Sequence, residues 1–399
     1  MSPSPDAARA HTGLDPSRRS LAPDLARGMM LLVIATVHAH LFRQMVTGGD
    51  AFTLDDTLDV AVTGFMVLVA ESRGYPLFAA LFGYGLAQIH RHRTGEGHPW
   101  PRVRTLLRRR GRWMLLIGFL HTLLLFQGDI IGVYGLIAVC FVFLLGASDR
   151  RLLSHGFAWM AVGGLAYSVL DFVFARLRQE TPVLGQEVTL AQELLTRSTG
   201  WLPSLVLMVT VSVFPVAVGV WAARRRLLER PEEHLPLLRR VALVGVPVAV
   251  LGGVPYLAVV LEVADFGAAA QIGARWLHIL SGYAGGFGYA ALIALAAVRI
   301  GGRRGPVVRA LVATGQRSMT CYLLQSVAWA VLFLPFTLDL AGRLSDAASV
   351  AVGAGVWLAT VVLADLMRRA GLRGPFEVLI RRLTYGRPRR EPDSAGLPS

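Results

Sequence analysis

Residues 113–146, WMLLIGFLHTLLLFQGDIIGVYGLIAVCFVFLLG, hold two apolar runs joined by the short polar turn Gln127, Gly128 and Asp129. RRRGR at 108–112 precedes the stretch, and Asp149, Arg150 and Arg151 follow it. A hydrocarbon core of about 30 Å takes roughly 20 residues of helix, so each run with its flanking residues reads as one membrane crossing. Helices satisfy their backbone amides internally, as lipid requires. The alternating short strands that a closed barrel would need are absent from this sequence. The stretch is therefore a hairpin of two membrane helices whose open ends, both basic, lie on one side.

Working outward, eight further segments repeat the pattern: Leu25 to Met45, a broken one from Leu58 to Ile89, Leu153 to Phe174, Trp201 to Ala222, Val241 to Val260, Trp276 to Val298, Met319 to Leu338 and Ser349 to Met367. The expected fold is all-α, a polytopic bundle of about ten spans, with the membrane domain at 23–386 between polar tails at 1–22 and 387–399. The N-terminal tail carries acids as well as arginines, unlike the basic start of a cleaved signal peptide, and both tails read as disordered. Hydrophobic residues make up 54% of the chain and mean hydropathy is +0.52, while the charges collect in the gaps. A soluble protein of 399 residues would not sort them so.

The basic residues set the orientation. Arg91 to Arg112, Arg150 and Arg151, Arg224 to Arg240, Arg303 and Arg304, and Arg368 to Arg390 fall in alternate gaps, so the positive-inside rule places both termini in the cytoplasm. This holds if Leu58 to Ile89, interrupted by Glu71, Ser72, Arg73 and Gly74, makes one net crossing. The formal charge of +14 is spread along span ends and is not interleaved with stacking aromatics, which argues against nucleic acid. Cys140 and Cys321 both lie in apolar runs and read as small buried hydrophobes. No spacing of Cys, His or carboxylates suggests a metal site.

Ionisable groups within spans are costly in lipid, about 2.5 to 3.5 kcal/mol each on insertion scales, and tend to mark function. His121 interrupts the apolar run of the third span and Asp129 closes that run. An imidazole suits a general base and a carboxylate could fix its tautomer. The eight-residue step from one to the other turns a helix by about 80°, so pairing requires an unwound helix end. Arg27 and His38 share one face of the first span, with His40 beyond them. Ser318, Tyr322 and Gln325 form a stripe at i, i+4 and i+7 on the ninth, while Arg275 and His278 share a face near the start of the eighth, within reach of Asp265 or Glu262. Gly285 to Gly288, GGFG, lacks the strand that a dinucleotide loop needs and reads as close helix packing.

Five blocks carry a family resemblance: PDLARGMMLL at 23–32, YPLFAALFGYGLA at 75–87, GFLHTLLLFQGDIIGVYG at 118–135, TGQRSMTCYLLQS at 314–326 and GPFEVLIRRLTYG at 374–386. In these the chain resembles the YeiB-like family of bacterial membrane proteins, whose C-terminal part, about 240–386 here, is a domain of unknown function. The family in turn resembles transmembrane acyltransferases, which move an acyl group from cytosolic coenzyme A to an acceptor across the membrane. The resemblance implies a bacterial plasma-membrane enzyme with His121, Asp129 and His38 as its catalytic groups. The position of His38 is more often Asn in the family. Arg27, Ser318, Tyr322, Gln325, Arg275 and His278 are then the expected substrate contacts. Arg102, Arg104, Arg108 and Arg109 would meet the phosphates of acyl-CoA, a co-substrate. No tightly bound cofactor is expected. A glycan, lipid or small molecule would be the acceptor. The alternatives are a transporter or lipid flippase using the same polar residues as a passage, and a noncatalytic membrane scaffold.

Overall fold

A computed structural model describes residues 20–47, 56–180, 190–334 and 336–386. Among them are fourteen α-helices and no strand. The expected tails lie almost wholly outside the described residues, although Leu21 and Ala22 already belong to the first helix. Seven helical stretches are long and apolar enough to cross a membrane. They are α1 (Leu21–Thr47), α2 (Thr57–Phe65) running through a π turn into α3 (Gly74–Gly95), α6 (Asp149–Ala158) continued by α7 (Gly164–Glu180), α8 (Leu190–Arg224), α9 (Leu235–Val260), α10 (Ala268–Ile300) and α13 (Asp346–Arg369). The remaining expected spans fall on α4 (Trp100–Leu124), whose first half carries the arginines, and on two shorter apolar helices, α5 (Ile131–Cys140) and α12 (Ser318–Phe333). This is a helical membrane bundle.

Several expectations need correction. The gap expected between Leu153 to Phe174 and Trp201 to Ala222 is largely helical, because α7 runs on to Glu180 and α8 starts at Leu190. The fourth span breaks at Phe141, after which Val142–Gly146 tightens into a 3₁₀ turn. Cys140 faces outward instead of into the core, whereas Cys321 is buried. Two short helices, α11 (Pro306–Gln316) and α14 (Pro375–Tyr385), stand in what read as basic gaps.

Contacts sort the molecule into two ends. At one end the arginine clusters meet: Arg91 pairs with Glu229, Arg224 and Arg225 with Asp149, and Arg93 lies over the Tyr385 ring. The sequence blocks 23–32 and 314–326 also join there, with Asp24 held by Arg27 and by Gln316. Glu377 of α14 accepts hydrogen bonds from the Met319 and Thr320 amides, which are among the unpartnered first donors of α12. At the other end, Asp346 pairs with His40 and Arg43, and Asp59 accepts from the Ala347 amide. His40 also faces Glu71. Asp59 and Glu71 therefore reach the same polar cluster, so α2 and its π turn remain in that half of the bundle and only α3 runs to the basic end. Thr57–Gly95 counts as a single helical stretch long and apolar enough to cross a membrane.

The chain break before α3 is held from three sides. Arg73, 0% exposed, donates to the Glu71 and Ala249 carbonyls and lies about 3 Å from His278. Gly282, Gly285 and Gly286 of α10 leave the room it occupies; a Cβ at any of them would press on Ser72 or Arg73. The GGFG run is thus packing, as its context suggested. The outermost helices carry the opposite signature. Leu243 and Leu251 of α9 and Val162, in the π turn between α6 and α7, are at least 70% exposed, an apolar surface suited to lipid and not to water.

Asp59 also offers a small test. Its carboxylate serves the first turn of α13 from outside that helix. Asp59→Ala is expected to lower stability by about 1 to 2 kcal/mol, measured as the unfolding midpoint in detergent. Asp56→Ala is the control, because Asp56 caps only the short α2 through the Leu58 amide.

Candidate functional site

Helix α4 ends where its backbone unwinds: the amides of Leu125 and Phe126 both donate to the His121 carbonyl, the second across a wider, π-type turn. The chain then doubles back through Gln127 and Gly128, and the Asp129 amide donates to the Gln127 carbonyl. This unwound end brings together two side chains that a continuous helix would hold about 80° apart. His121 Nδ1 lies 3.0 Å from Asp129 Oδ1. Both side chains are at most 2% exposed.

Asp129 does more than meet His121. Its oxygens accept from the Ile131 and Gly132 amides at 3.0 and 2.5 Å, so it also closes the N-terminus of α5, where a negative charge is favoured. Gly118, one turn before His121, permits this approach, because a Cβ there would collide with Asp129 Oδ2 and the Gly132 backbone. The carboxylate accepts two amide hydrogens and has none to give, so the His121 Nδ1 hydrogen points toward it. Nε2 is left with its lone pair.

That lone pair faces α12. Ser326 Oγ lies 2.8 Å from His121 Nε2 and 3.2 Å from the Tyr322 carbonyl one turn earlier. Tyr322 packs beside the imidazole at 5.2 Å between ring centres, and its hydroxyl donates to the Gly128 carbonyl. His38 comes in from α1, 5.9 Å from the Tyr322 ring and 4.6 Å from Phe126. Phe126 stacks on Phe42 and closes the remaining side. A Cβ at Gly128 would strike the Phe126 ring, so that glycine keeps the wall in place.

Of the expected site residues, His121, Asp129, His38 and Tyr322 converge. Gln325 does not join them. It donates to Thr360 Oγ1 of α13, while its own Oε1 is buried without a hydrogen-bond partner. The reason is angular, since Gln325 is about 100° from Ser326 around the helix. Ser318 sits half-buried at the start of α12, more than two turns from Ser326. Arg27 stays at the basic end in its ion pair with Asp24. Arg275 pairs with Asp171 of α7, not with Asp265 or Glu262, and lies over the rings of Tyr167 and Tyr256. His278 is taken up by Arg73. Arg102, Arg104 and Arg109 project outward from α4, and Arg108 donates to the Val139 carbonyl at the end of α5. Ser326 is the group the stripe missed. It stands one helical turn after Tyr322, which was signal enough to include it.

The C-terminal half carries a recognisable domain: residues 222–387 match the family described as "Protein of unknown function (DUF418)". That stretch, somewhat under half of the chain, is what is similar to the DUF418 family. It is 25% identical over 393 residues to "Uncharacterized protein YxaH" of Bacillus subtilis (strain 168), an alignment covering 91% of this chain and 93% of that protein. It is 27% identical over 150 residues to "Uncharacterized protein YeiB" of Escherichia coli (strain K12), covering 36% of each. The DUF418 match includes α12, with Tyr322 and Ser326, but not α4, with His121 and Asp129. The site is therefore assembled from both halves, and the family's domain supplies one wall of it.

Proposed function

We propose that this protein is an acyltransferase of the bacterial plasma membrane. Both termini are cytoplasmic, the acyl donor is cytosolic acyl-CoA, and the acceptor is a glycan, lipid or small-molecule hydroxyl or amine. The observation that supports this reading is the buried imidazole of His121, oriented by Asp129 with Nε2 presented to a hydroxyl. Such an arrangement removes a proton from a nucleophile and returns it to a leaving group, the two proton movements of acyl transfer. Its surroundings are dry, which strengthens each electrostatic contact. The arginines of α4 stand roughly 20 Å along the helix from His121, counting thirteen residues from Arg108. A long thin thioester arm can span that interval while its phosphates remain at the basic end.

Purified protein incubated with radiolabelled acetyl-CoA and candidate acceptors, among them a hexosamine and a glycerol-based lipid, should release free coenzyme A and label an acceptor. His121→Ala should lower that rate by at least ~100-fold. Equal rates for the two proteins, or no release with any acceptor, would remove this mechanism.

A second reading, a proton-coupled transporter or flippase, draws on the other buried charges. Arg73 beside His278 and the Asp346, His40 and Arg43 cluster are groups such a passage would use. Substrate flux into vesicles without acyl donor would favour it. Thermal stabilisation by coenzyme A would favour the enzyme.

A further inference from the structure

Ser326 lies midway along α12, fully buried, yet its hydroxyl oxygen stands 2.8 Å from His121 Nε2, the imidazole nitrogen that Asp129 does not occupy. Asp129, His121 and Ser326 are linked at 3.0 and 2.8 Å in the order carboxylate, imidazole, hydroxyl. Because Asp129 accepts at Nδ1, a neutral His121 carries its hydrogen there and offers Nε2 as an acceptor, so the single Ser326 hydrogen has two acceptors within reach, the Tyr322 carbonyl at 3.2 Å and Nε2 at the shorter 2.8 Å. This is the orientation from which a serine oxygen is activated as a nucleophile.

We infer that Ser326 is the site of a covalent acyl-enzyme. The inference rests on the acyltransferase reading and deepens it: the acyl group is handed first to the protein and then to the acceptor. In the first half, Ser326 Oγ adds to the thioester carbonyl carbon as its proton passes to His121 Nε2. The C–S bond then breaks, and His121 protonates the departing thiolate. The products are a serine ester and free coenzyme A. In the second half, an acceptor hydroxyl or amine gives its proton to Nε2 and adds to the ester carbonyl. The bond from Ser326 Oγ to the acyl carbon breaks, and the proton returns to Oγ. No oxidant or metal enters the balance. A two-step route also suits the architecture, because donor and acceptor need not occupy the enclosed site together. The walls formed by His38, Phe126 and Tyr322 shield the ester from water between the two halves.

The test uses the full-length protein in nanodiscs with acetyl-CoA as the probe. Without acceptor, a rapid release of one equivalent of coenzyme A per protein is expected, together with one acetyl group located on Ser326 by peptide mass spectrometry. Asp129→Asn should slow the burst by ~100-fold or more, and Ser326→Ala should show neither burst nor transfer. Should Ser326→Ala fail to fold, Ser326→Cys keeps the test decisive, because the sulfur it introduces should hold the acetyl as a thioester cleaved by neutral hydroxylamine. Transfer to acceptor without an acetylated Ser326, or transfer retained by Ser326→Ala, overturns the acyl-enzyme and leaves the acyltransferase reading standing. Absence of coenzyme A release from the wild-type protein with every acceptor overturns that reading itself.

Discussion

Asp129→Asn is expected to lower the rate of acyl transfer by ~10²- to 10⁴-fold with little change in the concentration of acetyl-CoA giving half-maximal rate. The carboxylate does not touch the region where the thioester would lie, so its removal should act on the imidazole and not on binding. An amide in its place can offer its NH₂ to Nδ1, which favours the tautomer with hydrogen on Nε2. Nε2 would then be a donor facing Ser326 and could no longer take a proton. The amide oxygen can still accept from the Ile131 or Gly132 amide, so α5 should keep its start. Asp129→Ala loses both functions. It should be equally inactive and also less stable by about 1 to 3 kcal/mol for each buried amide left without a partner. Steady-state rates for the two variants, read beside their unfolding midpoints, separate the roles. Asp129→Asn turning over at the wild-type rate would show that the carboxylate only holds the turn.

The largest expected effect on stability is elsewhere, where α3 crosses α8. Gly83 of α3 lies against the Val216 carbonyl and Gly219 of α8 lies against the Ala80 carbonyl, so each helix brings a glycine to the other's backbone. In lipid there is little hydrophobic force between helices, and close backbone approach carries much of the association. A Cβ at either position would fall inside a carbonyl group that has no freedom to rotate away. Gly219→Val should therefore separate the helices and cost on the order of 3 kcal/mol or more. Gly83→Val should match it, and the double variant should lose less than the sum, because both substitutions break one contact. Gly355→Val on α13, where a side chain meets open space, is the control. Unfolding midpoints in detergent unchanged by Gly219→Val would refute this account of the α3–α8 contact.

The two predictions lie on different kinds of information. Long apolar runs and arginine-filled gaps were legible in the sequence because lipid imposes one rule on every span: pair the backbone internally and keep charge at the ends. His121 and Asp129 were legible for the same reason, as polar groups in or beside apolar runs. Arg73 read only as an interruption, though the Ser72–Arg73 segment sits against three glycines of a distant helix, Gly282, Gly285 and Gly286, which leave room for it. Gln325 was read as a substrate contact beside Tyr322, and its three-residue spacing places it on the Tyr322 face only to within about 60°. That margin decides whether a side chain meets α4 or α13.

Composition and periodicity alone determined that this chain is a helical membrane bundle and which of its polar groups interrupt the apolar runs, because the bilayer acts on each segment independently of the others. Tertiary structure alone decided that the end of α4 unwinds to pair His121 with Asp129, that Ser326 and not Gln325 meets the imidazole, and that Arg275 turns to Asp171. The physical reason is that a sequence specifies the rotation of side chains about their own helix, whereas the direction that helix presents to its neighbours depends on where glycines let backbones touch.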